Sequence, residues 1–267
     1  MSKDTQTEIK DVQSSVDKRG IRLNKVGVRG VEFPIQLKRP DGTTVRTVAE
    51  FNFYADLPAE MKGTHMSRFV EALEECVQEQ DTAFKVFRKA VKKIKDSFKA
   101  EHVHLEAFFT YFIEKESPAT KKKMTSPYHC GIIMDDSHSG FAYGDTLLVK
   151  VPVTTVCPCS LEISDQGAHN QRAHITLTAE AMEFVWFEDL INLLEPCGSC
   201  EIYPLLKRPD EKYVTEKMFD NPKFVEDVVR DAAVAIRASG LKIPHGKIEC
   251  ESQESIHNHT AYAKFEW

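Results

Sequence analysis

Apolar residues recur along this chain with two different periods, and the order in which those periods alternate sets the expected architecture. Over residues 25–37 apolar residues mostly alternate, through Val26, Val28, Val31, Phe33, Ile35 and Leu37, and Pro40-Asp41-Gly42 then marks a turn. A second run over residues 44–55 carries Val45, Val48, Phe51, Phe53 and Tyr54, so the pair reads as strand, turn, strand. The period then changes. Ser67 is a good helix N-cap ahead of an apolar face at Phe69, Leu73, Cys76 and Val77. Asp81 or Thr82 caps a second helix, striped by Phe84, Phe87, Val91, Ile94 and Phe98. Strands are expected at 102–113 and 128–134, with a turn at 135–140.

The same order then repeats. Residues 141–156 alternate through Leu147, Val149, Val151 and Val153, and residues 173–185 alternate through Ile175, Leu177 and Ala179. A short helix is expected at 187–194. A longer one opens at Asn221-Pro222, with proline at its favoured first position, and stops at Gly240. Strands at 245–251 and 262–267 finish the chain. No sequence identity accompanies the repeat, so it is one of architecture only. The expectation is an α+β fold of two tandem ββααββ modules, with antiparallel sheets and paired helices covering one face of each. Residues 1–22 are polar and read as a flexible or loosely docked arm, 23–139 as the first module and 140–267 as the second.

Composition narrows the class of protein. An apolar content of 42% and a charged content of 28% are ordinary for a globular chain and argue against wholesale disorder. The second helix carries Lys85, Arg88, Lys89, Lys92, Lys93 and Lys95 off its stripe. A formal net charge of −6 makes that a solvated face rather than a nucleic-acid patch. No apolar run approaches the ~20 residues that span a bilayer, and the polar N-terminus holds no signal-peptide core. A cytoplasmic protein with no nucleic-acid or membrane partner is expected.

Seven cysteines are an odd number, and Cys157/Cys159 and Cys197/Cys200 form close pairs, which in the cytosol suggests metal or redox chemistry rather than disulfides. Cys76, Cys130 and Cys250 sit among apolar residues and read as small core side chains. The stretch from Cys157 to Arg172 places two thiols, a Gly-Ala turn and His169 between two strands, with Pro158 pushing Cys157 toward an extended backbone. Thiolate and imidazole are ligands that a zinc-like ion prefers. One reading joins both cysteine pairs in a structural four-cysteine zinc site, although the first pair has one intervening residue rather than two. The other recruits Glu254 and His257 from the polar stretch 251–259 to an open site that keeps a water position. Residues 206–216 read as a charged loop, and Glu226 as an acid near a helix N-terminus.

These blocks resemble the type IB GTP cyclohydrolase I family. The likeness rests on Thr155-Val156-Cys157-Pro158-Cys159-Ser160 with Gly167-Ala168-His169-Asn170-Gln171-Arg172, and on Lys62-Gly63-Thr64-His65-Met66-Ser67-Arg68-Phe69. It extends through Lys207-Arg208-Pro209-Asp210-Glu211, Asn221-Pro222-Lys223-Phe224-Val225-Glu226 and Glu254-Ser255-Ile256-His257-Asn258-His259. Leu161-Glu162 departs from the usual pattern at a place where no ligand is expected.

The resemblance implies a tunnelling fold and a homotetramer with active sites at subunit interfaces. It also implies hydrolytic opening of GTP to 7,8-dihydroneopterin triphosphate and formate, the first step toward tetrahydrofolate. One divalent ion per site is implied, Zn²⁺ or Mn²⁺, with Mg²⁺ or Fe²⁺ as further candidates. Cys157, Glu211, Glu254 and His257 would surround it. Cys157, Cys159 and His169 would carry the chemistry, Cys159 as a ligand or a proton donor and His169 as a proton shuttle. Glu226 would anchor guanine, and Lys62, Arg68, Arg172, Lys207 and Arg208 are the cations available to the triphosphate. A non-catalytic pterin- or purine-binding protein on the same fold, with a structural four-cysteine zinc site, is the alternative.

Overall fold

A computed structural model describes residues 11–13, 15–77, 79, 81–136 and 145–267. The boundary expected at 139/140, the turn ending at Gly140 and the start of the next strand at 141–144 lie outside the described residues. The elements in order are β1 (Leu23–Lys38), β2 (Thr44–Leu57), α1 (Ser67–Val77), α2 (Ala83–Phe98), β3 (Val103–Glu116) and β4 (Lys123–Asp135). They continue with β5 (Asp145–Val156), α3 (Pro158–Ile163), β6 (Asn170–Ala181), α4 (Phe187–Leu194) and a 3₁₀ turn at Glu195–Cys197. Last come β7 (Cys200–Glu201), α5 (Arg208–Asp220), α6 (Val225–Ala238), β8 (His245–Gln253) and β9 (Thr260–Glu266).

The repeat is present, but its two sheets are one. Strand order is β1-β2-β3-β4-β5-β6-β8-β9, antiparallel throughout, with the two-residue β7 beside β5. β4 and β5 pair from His129↔Lys150 to Met134↔Asp145, so each half saturates what would be a bare edge of the other. Beyond Lys150 the partner of β5 changes to β7, at Val153↔Glu201 and Thr154↔Cys200.

Alternation decides which face is covered. In β3, Val103, Leu105, Ala107, Phe109 and Tyr111 are buried while His104, Glu106, Phe108, Thr110 and Phe112 are less so. The buried face meets the apolar stripes of α1, α2, α4 and α6 in one continuous core. Edge-to-face aromatic pairs run through it, Phe51 on Phe87 at 5.2 Å and Phe53 on Phe69 at 5.5 Å between ring centroids. Phe187 of α4 packs on Phe109 and Tyr111 of β3, so the second module closes over the first. The basic face of α2 is taken up in ion pairs, Lys85 with Asp81, Arg88 with Asp145, Lys89 with Glu79, Lys93 with Glu75 and Lys95 with Asp136. Among the described residues no helix is long and apolar enough to cross a membrane.

Two expectations are corrected. Residues 206–216 are not a loop, because α5 begins at Arg208. Asp210 is its one buried residue. The Asp210 carboxylate accepts from the amides of Ala119, Thr120 and Lys207 and from the Thr120 hydroxyl. Burial raises the pKa of that carboxyl, and the hydrogen bonds from Thr120, Lys207 and Ala119 outweigh it, holding the group well below the usual carboxylate range. The Asn221-Pro222 pair does not open a helix either. α6 starts at Val225, and the lead-in is tied to the neighbouring strands: Asn221 donates to the Gly198 and Ser199 carbonyls and the Lys223 amide to that of Val156.

Polar bridges tie the modules beside the shared core. The Lys115 ammonium donates to both oxygens of Glu195 at 2.6 Å, Tyr128 donates to the same carboxylate, and Tyr111 donates to Glu188 at 2.7 Å. The Lys115 and Glu195 side chains are 16% and 8% exposed, so removing one leaves the other charge in a place water hardly reaches. Glu195→Ala is therefore expected to lower unfolding free energy by about 3 kcal/mol. In Lys115→Met/Glu195→Leu much of that loss should return, a coupling that a double-mutant cycle in urea would measure.

Candidate active site

The Cys157 to Arg172 stretch is the turn of the β5–β6 hairpin. Twelve cross-strand pairs end at Val156↔Asn170, and the Cys157 amide then donates to the His169 carbonyl at 3.1 Å. Cys157 has the extended backbone expected ahead of proline, but Pro158 starts the short helix α3. The Cys157 sulfur accepts from the Ser160 amide at 3.4 Å and is half-buried, whereas Cys159 is exposed. Gly167 makes the return turn at φ +91°, a conformation that side-chain-bearing residues rarely adopt. The Ser160 hydroxyl then fixes the His169 amide at 3.2 Å.

His169 sits at the head of a chain of polar side chains. Its Nδ1 lies 2.8 Å from Gln171 Oε1 and 3.7 Å from a Glu254 carboxylate oxygen. Gln171 Nε2 donates to Thr155 Oγ1 at 3.0 Å, and Thr155 Oγ1 is 3.1 Å from Ser252 Oγ. Thr155 and Ser252 are 1% and 0% exposed, so the far end of the chain is anchored in the core beneath β5, β6 and β8. Gln171, Thr155 and Ser252 are not among the candidates that the sequence offers. The readable signal is that three hydroxyl or amide groups occupy core-facing positions where a strand otherwise places apolar residues.

Antiparallel pairing sorts the remaining candidates by which end of the sheet they occupy. Val156, the start of β6, the end of β8 and the β8–β9 loop lie at one end. That end therefore holds Cys157, Cys159, His169, Glu254 and His257. Asp210 fastens the start of α5 to the turn between β3 and β4 at this same end, which brings Lys207, Arg208 and Glu211 there, all three exposed. The Lys223–Val156 bond brings the start of α6 and Glu226 as well. Glu226 lines a cleft of about 540 Å³ between α6 and β9, with Val229, Ala233 and Phe265 on its walls and Arg230, Arg237 and Lys264 also lining it.

Three substrate candidates are placed elsewhere. Lys62 follows β2 and lines a groove with Asp17, Arg19 and Met61 at the opposite end of the sheet. Arg68 lies at that end too, its guanidinium 5.6 Å over the Phe98 ring. Arg172 is at the right end but, one residue past Gln171, points to the opposite face of the sheet. The ligand set is likewise dispersed. Among the described residues no three His, Cys, Asp or Glu side chains form a group that could hold a metal ion. Glu211 and His257 are exposed, and the His257 ring stacks on His259 at 4.9 Å.

Cys157, Cys159, Cys197 and Cys200 likewise form no such group among the described residues. Cys197 donates to the Leu193 carbonyl and Cys200 to Glu201, and the two residues are 5% and 1% exposed. Burial pushes both thiols up to about 11. Cys76, Cys130 and Cys250 are buried, as expected of core residues.

Three comparisons with known proteins bear on the chain as a whole. A family model described as type I GTP cyclohydrolase folE2 matches residues 9–263. The chain is 46% identical over 262 residues to a GTP cyclohydrolase FolE2 of Nitrosococcus oceani, covering 97% of this chain and 95% of that one. It is 47% identical over 257 residues to the FolE2 of Syntrophobacter fumaroxidans, covering 96% and 98%. Among solved structures it resembles the uricase of Arthrobacter globiformis with a TM-score of 0.58, at 8% identity over 91% of this chain and 92% of that one. That last likeness is one of fold, the tunnelling fold.

The buried thiols give a direct test. The thiolate is the reactive form, and at pH 8 a thiol pushed up to about 11 is ionised in roughly one molecule in a thousand. In the folded protein iodoacetamide is expected to label exposed Cys159 first, with Cys197 and Cys200 labelled only as pH rises toward 11 or after unfolding in urea. Peptide mass spectrometry over time reads this. Rapid labelling of Cys197 at pH 8 would contradict the buried placement.

Proposed function

This chain belongs to the type I GTP cyclohydrolase FolE2 family, which acts at the first step of folate biosynthesis, and we propose how its residues divide that work. The reaction adds water to C8 of the guanine imidazole ring, opens the ring, and releases C8 as formate. Reclosure of the remaining atoms gives 7,8-dihydroneopterin triphosphate. The observation that carries the assignment is the convergence of the Cys157 turn, His169 and Glu254 at one end of the sheet, beside the start of α6 and Glu226.

Glu226 is the guanine anchor. Its carboxylate accepts from N1–H and from the 2-amino group together, a pattern that guanine offers and adenine does not. The apolar walls of its cleft, Val229, Ala233 and Phe265, suit the flat face of a base. His169 moves protons during hydration and ring opening, a task suited to imidazole, which ordinarily titrates near neutrality. Cys159, exposed at the first turn of α3, is a further ligand or the proton donor to the opening ring.

The donors at this end fit a divalent ion in kind: the Cys157 thiol and the His257 imidazole suit Zn²⁺ and Fe²⁺, the Glu211 and Glu254 carboxylates suit Mn²⁺ as well, and Mg²⁺, which takes oxygen ligands, is the least suited to the thiol. When bound, such an ion would supply Lewis acidity that makes water nucleophilic near neutral pH. The triphosphate is held by Lys207 and Arg208 beside Glu211, and by Lys62, Arg68 and Arg172.

A homotetramer with shared sites reconciles Lys62 and Arg68 with the fold. Lys62 and Arg68 lie at the far end of their own sheet, so they reach a site only in another subunit. β1 and β9 are edge strands, and the Glu226 cleft opens beside β9, where a neighbour would close it.

Incubation with GTP and Zn²⁺ or Mn²⁺ is expected to release formate and yield a pterin that fluoresces after oxidation. GTP binding without formate under every divalent ion would instead mark a pterin- or purine-binding protein. Glu226→Gln is expected to lower kcat/KM for GTP roughly 10- to 100-fold, the value of a hydrogen-bonded charge, with metal content unchanged. Retained turnover would remove Glu226 as the anchor.

A further inference from the structure

The polar chain behind His169 does more than hold a ring in place. A neutral imidazole has one N–H and one lone pair, and which nitrogen carries which is set by what faces each of them. Here both neighbours of Nδ1 are acceptors. Gln171 Oε1 is 2.8 Å away, and a Glu254 carboxylate oxygen is 3.7 Å away on the same side.

The orientation of the Gln171 amide is what makes the first of these an acceptor, and that orientation has a cause. Gln171 Nε2 donates to Thr155 Oγ1 at 3.0 Å, and the Ser255 hydroxyl donates to Gln171 Oε1 at 3.4 Å. Thr155 accepts from Gln171 and shares its other bond with Ser252, both of them in the core. Turning the amide over would aim its NH₂ at Nδ1 and require a lone pair there. The Glu254 carboxylate would then face that lone pair instead of an N–H, so the reversed arrangement is disfavoured at the carboxylate.

We propose that Gln171, itself held in place by Thr155 and Ser252, is a positioning residue that keeps the proton of His169 on Nδ1 and leaves Nε2 as the lone pair offered to the reaction. The assignment rests on the reading of His169 as a group that acts through its free nitrogen. It adds the residues that choose which nitrogen is free. In the wrong tautomer the ring would present an N–H where a lone pair is needed, in an otherwise intact pocket. The signature of its loss is therefore a fall in kcat with substrate binding retained.

The tautomer can be read without turnover. In metal-free protein labelled with ¹⁵N-histidine, long-range proton–nitrogen spectra at a pH where the ring is neutral distinguish Nδ1–H from Nε2–H. His169 is assigned by the signal missing from His169→Asn. The wild type is expected to show Nδ1–H, and Gln171→Leu and Thr155→Val to shift His169 toward Nε2–H. Both variants should lose about 10- to 100-fold in kcat with KM for GTP unchanged, and Thr155→Ser, which restores the hydroxyl, should restore the tautomer and the rate. An Nε2–H ring in the wild type, or a tautomer indifferent to Gln171→Leu, would overturn the proposal. Absence of GTP opening in the wild type would instead overturn the functional reading, while the tautomer result stood. Valine closely matches threonine in shape, and thermal melting of each variant separates a lost fold from a lost hydrogen bond.

Discussion

The register between β5 and β6 is the constraint on which the rest of the site depends. Side chains on a strand alternate faces, so one register fixes that Thr155 and Gln171 lie together on the core side while Thr154 and Arg172 lie together on the other. The same pairing makes Cys157 and His169 the next residues out, joined through their backbones at the mouth of the hairpin. A slip by one residue would replace Gln171 behind the imidazole with a guanidinium. It would also move Ala173, Ile175 and Leu177, all 0% exposed, out of the core, which is why the register does not slip.

The first module contributes rigidity to this end of the sheet more than chemistry. Its β3–β4 hairpin reaches the site end, where the turn gives the Asp210 carboxylate three of its four hydrogen bonds and so fixes where α5 begins. Lys115 and Tyr128 on the same hairpin hold Glu195, just before the segment that feeds β7. With β4 paired to β5, the frame around the Cys157 turn is tied on several sides. A long, untethered turn between β5 and β6 could not otherwise hold a thiol and an imidazole in a fixed relation.

Where sequence reading succeeds, burial follows period. The strands other than β7, with α1, α2, α4 and the core face of α6, announce themselves by apolar residues at two- or near-four-residue spacing, because each lays one apolar face on a shared core. α5 breaks that link. It is held by one buried aspartate and its hydrogen-bonded turn, and no apolar stripe betrays it, so a charged loop is the natural reading of residues 206–216. The polar chain behind His169 is hidden for the converse reason. Thr155, Gln171 and Ser252 occupy positions where alternation predicts apolar residues, and a single polar residue in a strand carries no sign of its partner in another strand. The partners are 16 residues apart for Gln171 and Thr155 and 97 for Thr155 and Ser252.

The dispersal of the cations and the openness of the Glu226 cleft have one physical root. An antiparallel sheet separates its two ends by the length of a strand, so residues after β2 and residues after β5 cannot meet within one subunit. The Cys157 turn, His169 and Glu254 need no help, because one hairpin and the neighbouring strand bring them together. The proposed base pocket and phosphate site do, because Glu226 sits beside a free edge strand and Lys62 and Arg68 sit at the far end. Chemistry built on a single register can be precise in an isolated chain, whereas the binding proposed from separate ends of the sheet would require assembly. Assembly would then act on substrate capture and on closure of the ligand set, while leaving the His169–Gln171–Thr155–Ser252 chain as it is.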